Sequence, residues 1–197
     1  MNTVVDNLLK TIADLDSKPT GAYNIRSNGS GAGRRSTENI VIESKKDLPG
    51  IDITIKPGTK GETVYIPVVV TAAGLIDMVY NDFYIGEGAD VVIVAGCGIH
   101  NDGCEDSRHD GIHRFFIGKN ARLKYVEKHY GEGTGTGARI LNPTTEVTME
   151  EGSYCEMEMV QIAGVNSTVR ETSAHLGKNA KMMVMERQMT HDKQVAH

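Results

Sequence analysis

Apolar residues at Val4, Val5, Leu8, Leu9, Ile12 and Leu15 recur at helical spacing with Asp6, Lys10 and Asp14 between them, which predicts a short amphipathic helix. From residue 50 the pattern changes to alternation. Ile55-Lys56-Pro57-Gly58-Thr59, Ile85-Gly86-Glu87-Gly88-Ala89, Ile117-Gly118-Lys119-Asn120-Ala121, Met149-Glu150-Glu151-Gly152-Ser153 and Leu176-Gly177-Lys178-Asn179-Ala180 each place an apolar residue before a turn. Their first residues lie 30, 32, 32 and 27 positions apart, and each turn leads into an alternating run such as Arg122 to Val126. Gly and Asn take left-handed backbone angles cheaply, as a tight corner between strands requires. A period near 30 in strand-forming sequence predicts one rung of a β-solenoid per repeat, each rung burying its apolar edge on the next. An antiparallel sandwich of hairpins would also bury alternate residues, but it gives no reason for near-constant spacing. The helix is expected to pack on an end or flank of the solenoid, as its cap.

Between helix and repeats, Ser27 to Ser36 is rich in Gly, Ser and Asn. It lacks the Gly-Lys-Ser/Thr ending of a phosphate-binding loop and reads as a flexible linker. The expected organisation is an N-terminal helix over 1–20, a loop-rich lead-in over 21–49 and a β-helix domain over 50–197. Composition agrees: 22 Gly and 5% aromatic residues without Trp suit stacked strands better than a helical bundle. A net charge of -5 argues against a nucleic-acid partner, whose phosphates demand excess Lys and Arg. The longest apolar candidate for a membrane span, Val64 to Tyr80, is broken by Pro67, Gly74 and Asp77. Met1 to Lys10 carries Asp6 and no small-residue cleavage site, so a cytoplasmic protein without a membrane partner is expected.

In a reducing compartment the odd set Cys97, Cys104 and Cys155 points to free thiols or metal ligands. Cys97, His100, Cys104, His109 and His113 put two thiols and three imidazoles within 17 residues. Thiolate and imidazole suit zinc, iron and copper(I), and the neighbouring glycines would let the backbone fold so that several ligands converge. The spacing is not that of a zinc finger. His109 and His113, four apart, share a face in a strand or a helical turn. The competing reading is a polar loop between a strand ending at Val94 and another starting at Phe115, with Cys97 simply a small buried residue. Glu127 and His129 share a strand face with Leu123 and Tyr125, and form either a buried pair in need of partners or a solvated one on an outward turn. Cys155, Met157 and Met159 read as an apolar core stripe. Nucleophile elbow, zinc-protease helix and dinucleotide fingerprint are all missing from the sequence.

Gly96-Cys97-Gly98-Ile99-His100-Asn101-Asp102-Gly103, His109-Asp110-Gly111-Ile112-His113 and the run Tyr125 to Gly133 resemble motifs of short archaeal and clostridial SufB/SufD homologues. Gly137 to Pro143 and the pair Thr190-His191 extend the resemblance from about Ala22 to His191. It implies a right-handed parallel β-helix that builds or passes on iron-sulfur clusters, holding iron or sulfur through Cys, His and Glu side chains. It also implies SufB/SufD-type homo- or hetero-oligomers and docking of the ABC-type ATPase SufC. The chain departs from the family in ending at His197, before the C-terminal docking region, and in carrying Cys104 where a small residue is usual. SufC binding is therefore expected to be weak, and self-association through the last rung is expected.

The expected function is a scaffold binding iron, sulfide or a nascent cluster through Cys97, His100, His109, His113, Glu127 and His129, with Cys104 a further metal ligand and zinc an alternative cargo. The rivals are a metal-dependent hydrolase or lyase on a β-solenoid, and a structural interaction module with no bound metal.

Overall fold

The structure, a computed structural model, describes residues 3–16, 19–189 and 193–197, so the Thr190-His191 pair lies outside the described residues. Helix α1 (Thr3–Ala13) precedes β1 (Ala22–Ser27), β2 (Ser30–Arg35), β3 (Ile40–Ser44), β4 (Gly50–Ile55), β5 (Lys60–Val70), β6 (Ile76–Ile85) and β7 (Asp90–His100). The chain continues through β8 (Ser107–Ile117), β9 (Arg122–Glu132), β10 (Arg139–Leu141), β11 (Thr144–Met149), β12 (Tyr154–Ala163), β13 (Ser167–Leu176), β14 (Lys181–Gln188) and β15 (Lys193–Ala196).

From β5 onward successive long strands alternate between two sheets, ordered β14-β12-β9-β7-β5-β1-β2 and β10-β13-β11-β8-β6-β4-β3. Pairing is parallel except in β1–β2 and β3–β4. The result is a parallel β-solenoid of about four turns, as the repeat predicts. Register follows the repeat: Ile55, Ile85, Ile117, Met149 and Leu176 stack in one column. At the corner beyond them Gly58, Gly88, Asn120, Gly152 and Asn179 all have positive φ. Their shared geometry lets Gly58, Gly88, Asn120 and Gly152 each donate an amide to the next rung's corner carbonyl, so the backbone ladder runs through the turns.

Beside this corner the lumen is apolar. Phe83 and Phe115 stack with ring centroids 4.4 Å apart, and Tyr125 meets Phe115 edge-on at 5.0 Å. Cys155, Met157 and Met159 are buried in the same core, as their alternation predicts.

Two expectations about the N-terminal region are corrected. Ser27 to Ser36 is a β-hairpin, not a flexible linker: β1 and β2 pair around Asn28-Gly29, with φ of 46° and 76°. Asn-Gly supplies the two positive φ values of a two-residue hairpin turn, so local turn chemistry prevails over loop-like composition. Helix α1 packs on the flank, one of the two placements expected for it, and is not the cap. Leu8 and Ile12 are fully buried against the outer face around β5, β7 and β9, each contributing about 1.5–3 kcal/mol. The approach is close because Gly96 and Gly98 are flat: a Cβ at Gly96 would lie 2.8 Å from the Ile12 carbonyl oxygen, and one at Gly98 3.0 Å from Leu8 Cδ2. The N-terminal mouth of the lumen is bordered instead by the hairpins β1–β2 and β3–β4. Among the described residues no helix is long and apolar enough to cross a membrane.

Candidate functional site

Strand parity divides the predicted ligands. Along β7, Cys97 faces the lumen with Ala95 and Ile99, all of them buried. His100 is three residues on and faces outward, where its ring meets Asp102 at 2.8 Å and Glu132 at 3.1 Å. Burial alone would lower the His100 pKa, but these two carboxylates raise it. Cys104 is exposed in the segment between β7 and β8. The predicted grouping of Cys97 with His100 and Cys104 is therefore corrected: an odd spacing in a strand puts two side chains on opposite faces, and Cys104 lies beyond the strand. The glycines beside Cys97 do not bend the chain around an ion, because β7 runs straight through them and they seat α1. Strands β7 and β8 also extend to His100 and Ser107, so the polar loop expected from Val94 to Phe115 shrinks to residues 101–106.

The remaining candidates converge inside the solenoid. On β8, His109 and His113 are 6% and 7% exposed, on the same face. On β9, Glu127 and His129 are buried, not turned outward, and His129 is the cross-strand neighbour of Cys97. Cys97, His109, His113, Glu127 and His129 line one cavity of about 20 Å³ together with Ile66, Val68 and Leu141. That is room for about one water molecule or ion. Gly111 makes space for an imidazole, since a Cβ there would come within 2.6 Å of His113 Nε2.

A hydrogen-bonded network holds these groups. The Tyr125 hydroxyl donates to Glu127 Oε1 at 2.9 Å and faces His113 Nδ1 at 3.1 Å. Arg170 Nη1 donates to Glu127 Oε2 at 2.7 Å, and its Nη2 faces His129 Nδ1 at 3.5 Å. Asp77 accepts two bonds from Arg26, at 2.7 and 2.9 Å, and one from His109 Nδ1 at 3.1 Å. Tyr125, Asp77, Arg26 and Arg170 are site residues that the sequence reading missed. Arg170 was open to detection, because it lies two before Thr172, which pairs with Thr145 on the repeat register and so shares its inward parity.

The bonds fix the imidazole tautomers. A carboxylate only accepts, so His109 donates from Nδ1 to Asp77, which in the neutral imidazole leaves the lone pair on Nε2. The Tyr125 proton goes to Glu127, so His113 also donates from Nδ1 and keeps a free Nε2. Arg170 only donates, so His129 accepts at Nδ1 and carries its proton on Nε2, 3.6 Å from Glu127 Oε2. His109 and His113 thus leave Nε2 as the nitrogen not engaged by Asp77 or Tyr125. His129 is set as a hydrogen-bond partner.

Burial governs the protonation states. It pushes His113 and His129 down to about 4, leaving both neutral near pH 7. Burial alone would raise the Glu127 carboxyl, but Arg170 and the neighbouring imidazoles hold it well below the usual carboxylate range. Asp77 follows the same logic with Arg26 and His109. Burial, reinforced by Asp77 and Glu127, pushes the Cys97 thiol well above its ordinary value, so it carries a proton that a cation must displace. Among the described residues no three His, Cys, Asp or Glu side chains converge as a ready-made metal cage. The donor set fits a single ion in chemistry, with side-chain rearrangement needed to close around it. Searches of protein-family models, curated proteins and solved structures gave no match to this chain.

Proposed function

We propose that this chain is a scaffold of the SufB/SufD type, working in iron-sulfur cluster assembly, whose solenoid lumen takes one iron ion as cargo through Cys97 Sγ, His109 Nε2 and His113 Nε2. One observation carries the reading: a thiol and two imidazoles engaged at Nδ1, which leaves Nε2 to meet a metal, line the same ion-sized cavity. Asp77 behind His109 is the carboxylate partner that orients and strengthens a ligating imidazole. Glu127 and His129 serve as second-layer charge and hydrogen-bond partners. The cavity size favours a single ion over an assembled cluster, and zinc, with the same ligand preferences, competes for it. In this reading the cluster forms only after the ion meets sulfide and a further iron ion, such as that held by a second scaffold copy, with a SufC-type ATPase and a SufB/SufD-type partner as the associated proteins and the cytoplasm as the compartment.

The test is anaerobic titration with iron(II), then sulfide, followed by metal analysis and absorption spectroscopy. One iron per chain, with thiolate-to-iron absorption that grows on sulfide addition, supports the scaffold. The interaction module is the second reading, favoured by the internal bonding of Tyr125, Glu127 and Arg170. No retained metal and no absorption would support it instead.

A further inference from the structure

At the N-terminal mouth of the lumen lies a second concavity of about 260 Å³ between the hairpins β1–β2 and β3–β4. It shares Ile66, Val68 and Asn81 with the inner cavity, so the two are adjacent along the lumen. Its charged lining is of one sign. Arg26, Arg34 and Lys45 face it, and no carboxylate does, in a protein of net charge -5.

The acids that neutralise two of these cations sit outside the concavity's lining. Arg26 is paired with Asp77, and Lys45 with Asp52 and Asp82. Arg34 makes no ion pair among the described residues; its Nε donates to Asn24 Oδ1 at 2.9 Å and its Nη1 to Ser44 Oγ at 2.9 Å. A guanidinium has five N–H donors and an ammonium three. After the bonds to protein, each arginine keeps three donors and Lys45 keeps one. The side-chain amide of Asn81 adds donors, since its Oδ1 already accepts from the Ile51 amide. The concavity is therefore a donor-rich, acceptor-poor pocket with an apolar floor of Ile51, Ile66, Val68 and Val79.

From this we infer that the mouth binds a small multivalent oxyanion, a phosphate or carboxylate compound of a few carbon atoms, with Arg34 as its principal charge partner. The volume lies just below the usual range of ligand pockets, which favours a small ligand over a nucleotide-sized one. Arg34 contributes most because it alone of the three cations has no carboxylate to share. The inference is independent of metal binding, since none of the residues proposed to hold the ion lines the mouth.

The test is calorimetric titration of the metal-free protein with inorganic phosphate and, separately, with citrate, at constant ionic strength. Saturable one-to-one binding of either anion with Kd of about 1 mM or tighter is expected, and the anion preferred identifies the head group. Arg34→Gln should weaken it roughly tenfold or more, as loss of a charge-assisted hydrogen bond does. Arg35→Gln, the same charge change on the same strand but outside the lining, should leave it within about twofold of the parent. Both arginines are exposed, so neither change threatens the fold. Absence of saturable binding by both anions overturns the inference, and so does equal weakening by the two substitutions.

Discussion

Between Phe115 and His113, two residues apart on β8, the lumen changes character. On the corner side, Phe83, Phe115, Tyr125, Val147 and Met157 form a continuous apolar core. Away from the corner, β7, β8, β9 and β13 bury Cys97, His109, His113, Glu127 and Arg170. Backbone pairing is unbroken across the change itself, from Ile112↔Thr144 to Ile117↔Met149, and is interrupted farther into the polar side, where β10 and β11 are separate strands and β9–β12 shifts register at Gln161. What differs is how the interior is held: the corner side by apolar burial and ring stacking, the other side by ion pairs whose desolvation cost is barely recovered, beside a smaller apolar cluster of Val68, Val70, Cys97, Ile99, Leu141 and Val165. A solenoid has no need of the second kind of interior to stand, which is why the polar half is where a ligand is to be sought.

The largest effect should come from breaking the charge balance of the polar half. Arg170→Met leaves Glu127 buried without its cation and should destabilise the chain by about 3–5 kcal/mol in denaturant unfolding. Changing Glu127 and Arg170 together to Met should restore most of that loss. If the single change costs under about 1 kcal/mol, the pair is not desolvated and the contrast between the halves fails.

Acid should act on the polar half next. His113 and His129 take up protons near 6.5 when unfolded and at about 4 when folded, so between these values the unfolded chain binds more protons. Stability therefore falls as pH drops from 6.5 to 4, by on the order of a few kcal/mol, and is fully present above 6.5. Glu127 and Asp77, held low in the fold, add losses only below the ordinary carboxylate range. Thermal unfolding between pH 4 and 7 reads this directly. The His113→Gln, His129→Gln double variant should flatten the profile, and a flat parent profile would contradict the burial of neutral imidazoles. The smallest effect belongs to the apolar half, where Met157→Leu should cost less than about 1.5 kcal/mol with no pH dependence.

The solenoid was legible because every rung repeats the same demand: an apolar residue, then a left-handed corner, at a spacing set by two strands. Glu127 and His129 could be paired on one face from the period of two alone. Their burial could not be read, because it depends on Arg170, which is 43 residues from Glu127 and becomes its neighbour only across the lumen. The grouping of Cys97 with His100 failed for a simpler reason. Density along the chain is not density in space, because in a strand neighbours of odd spacing part. The hairpin at Asn28-Gly29 was also within reach, and was obscured by a glycine-rich composition that resembles a linker.

The central claim is that Cys97 and the two Nε2-bearing imidazoles form one ion site, and cobalt(II) titration under anaerobic conditions tests it most directly. The parent should bind one cobalt per chain with a thiolate-to-cobalt absorption band, more tightly as pH rises because the Cys97 proton must leave. Cys97→Ser should abolish the band, while Cys104→Ser and Cys155→Ser should keep it. A band that survives Cys97→Ser, or disappears with Cys104→Ser, would contradict the account.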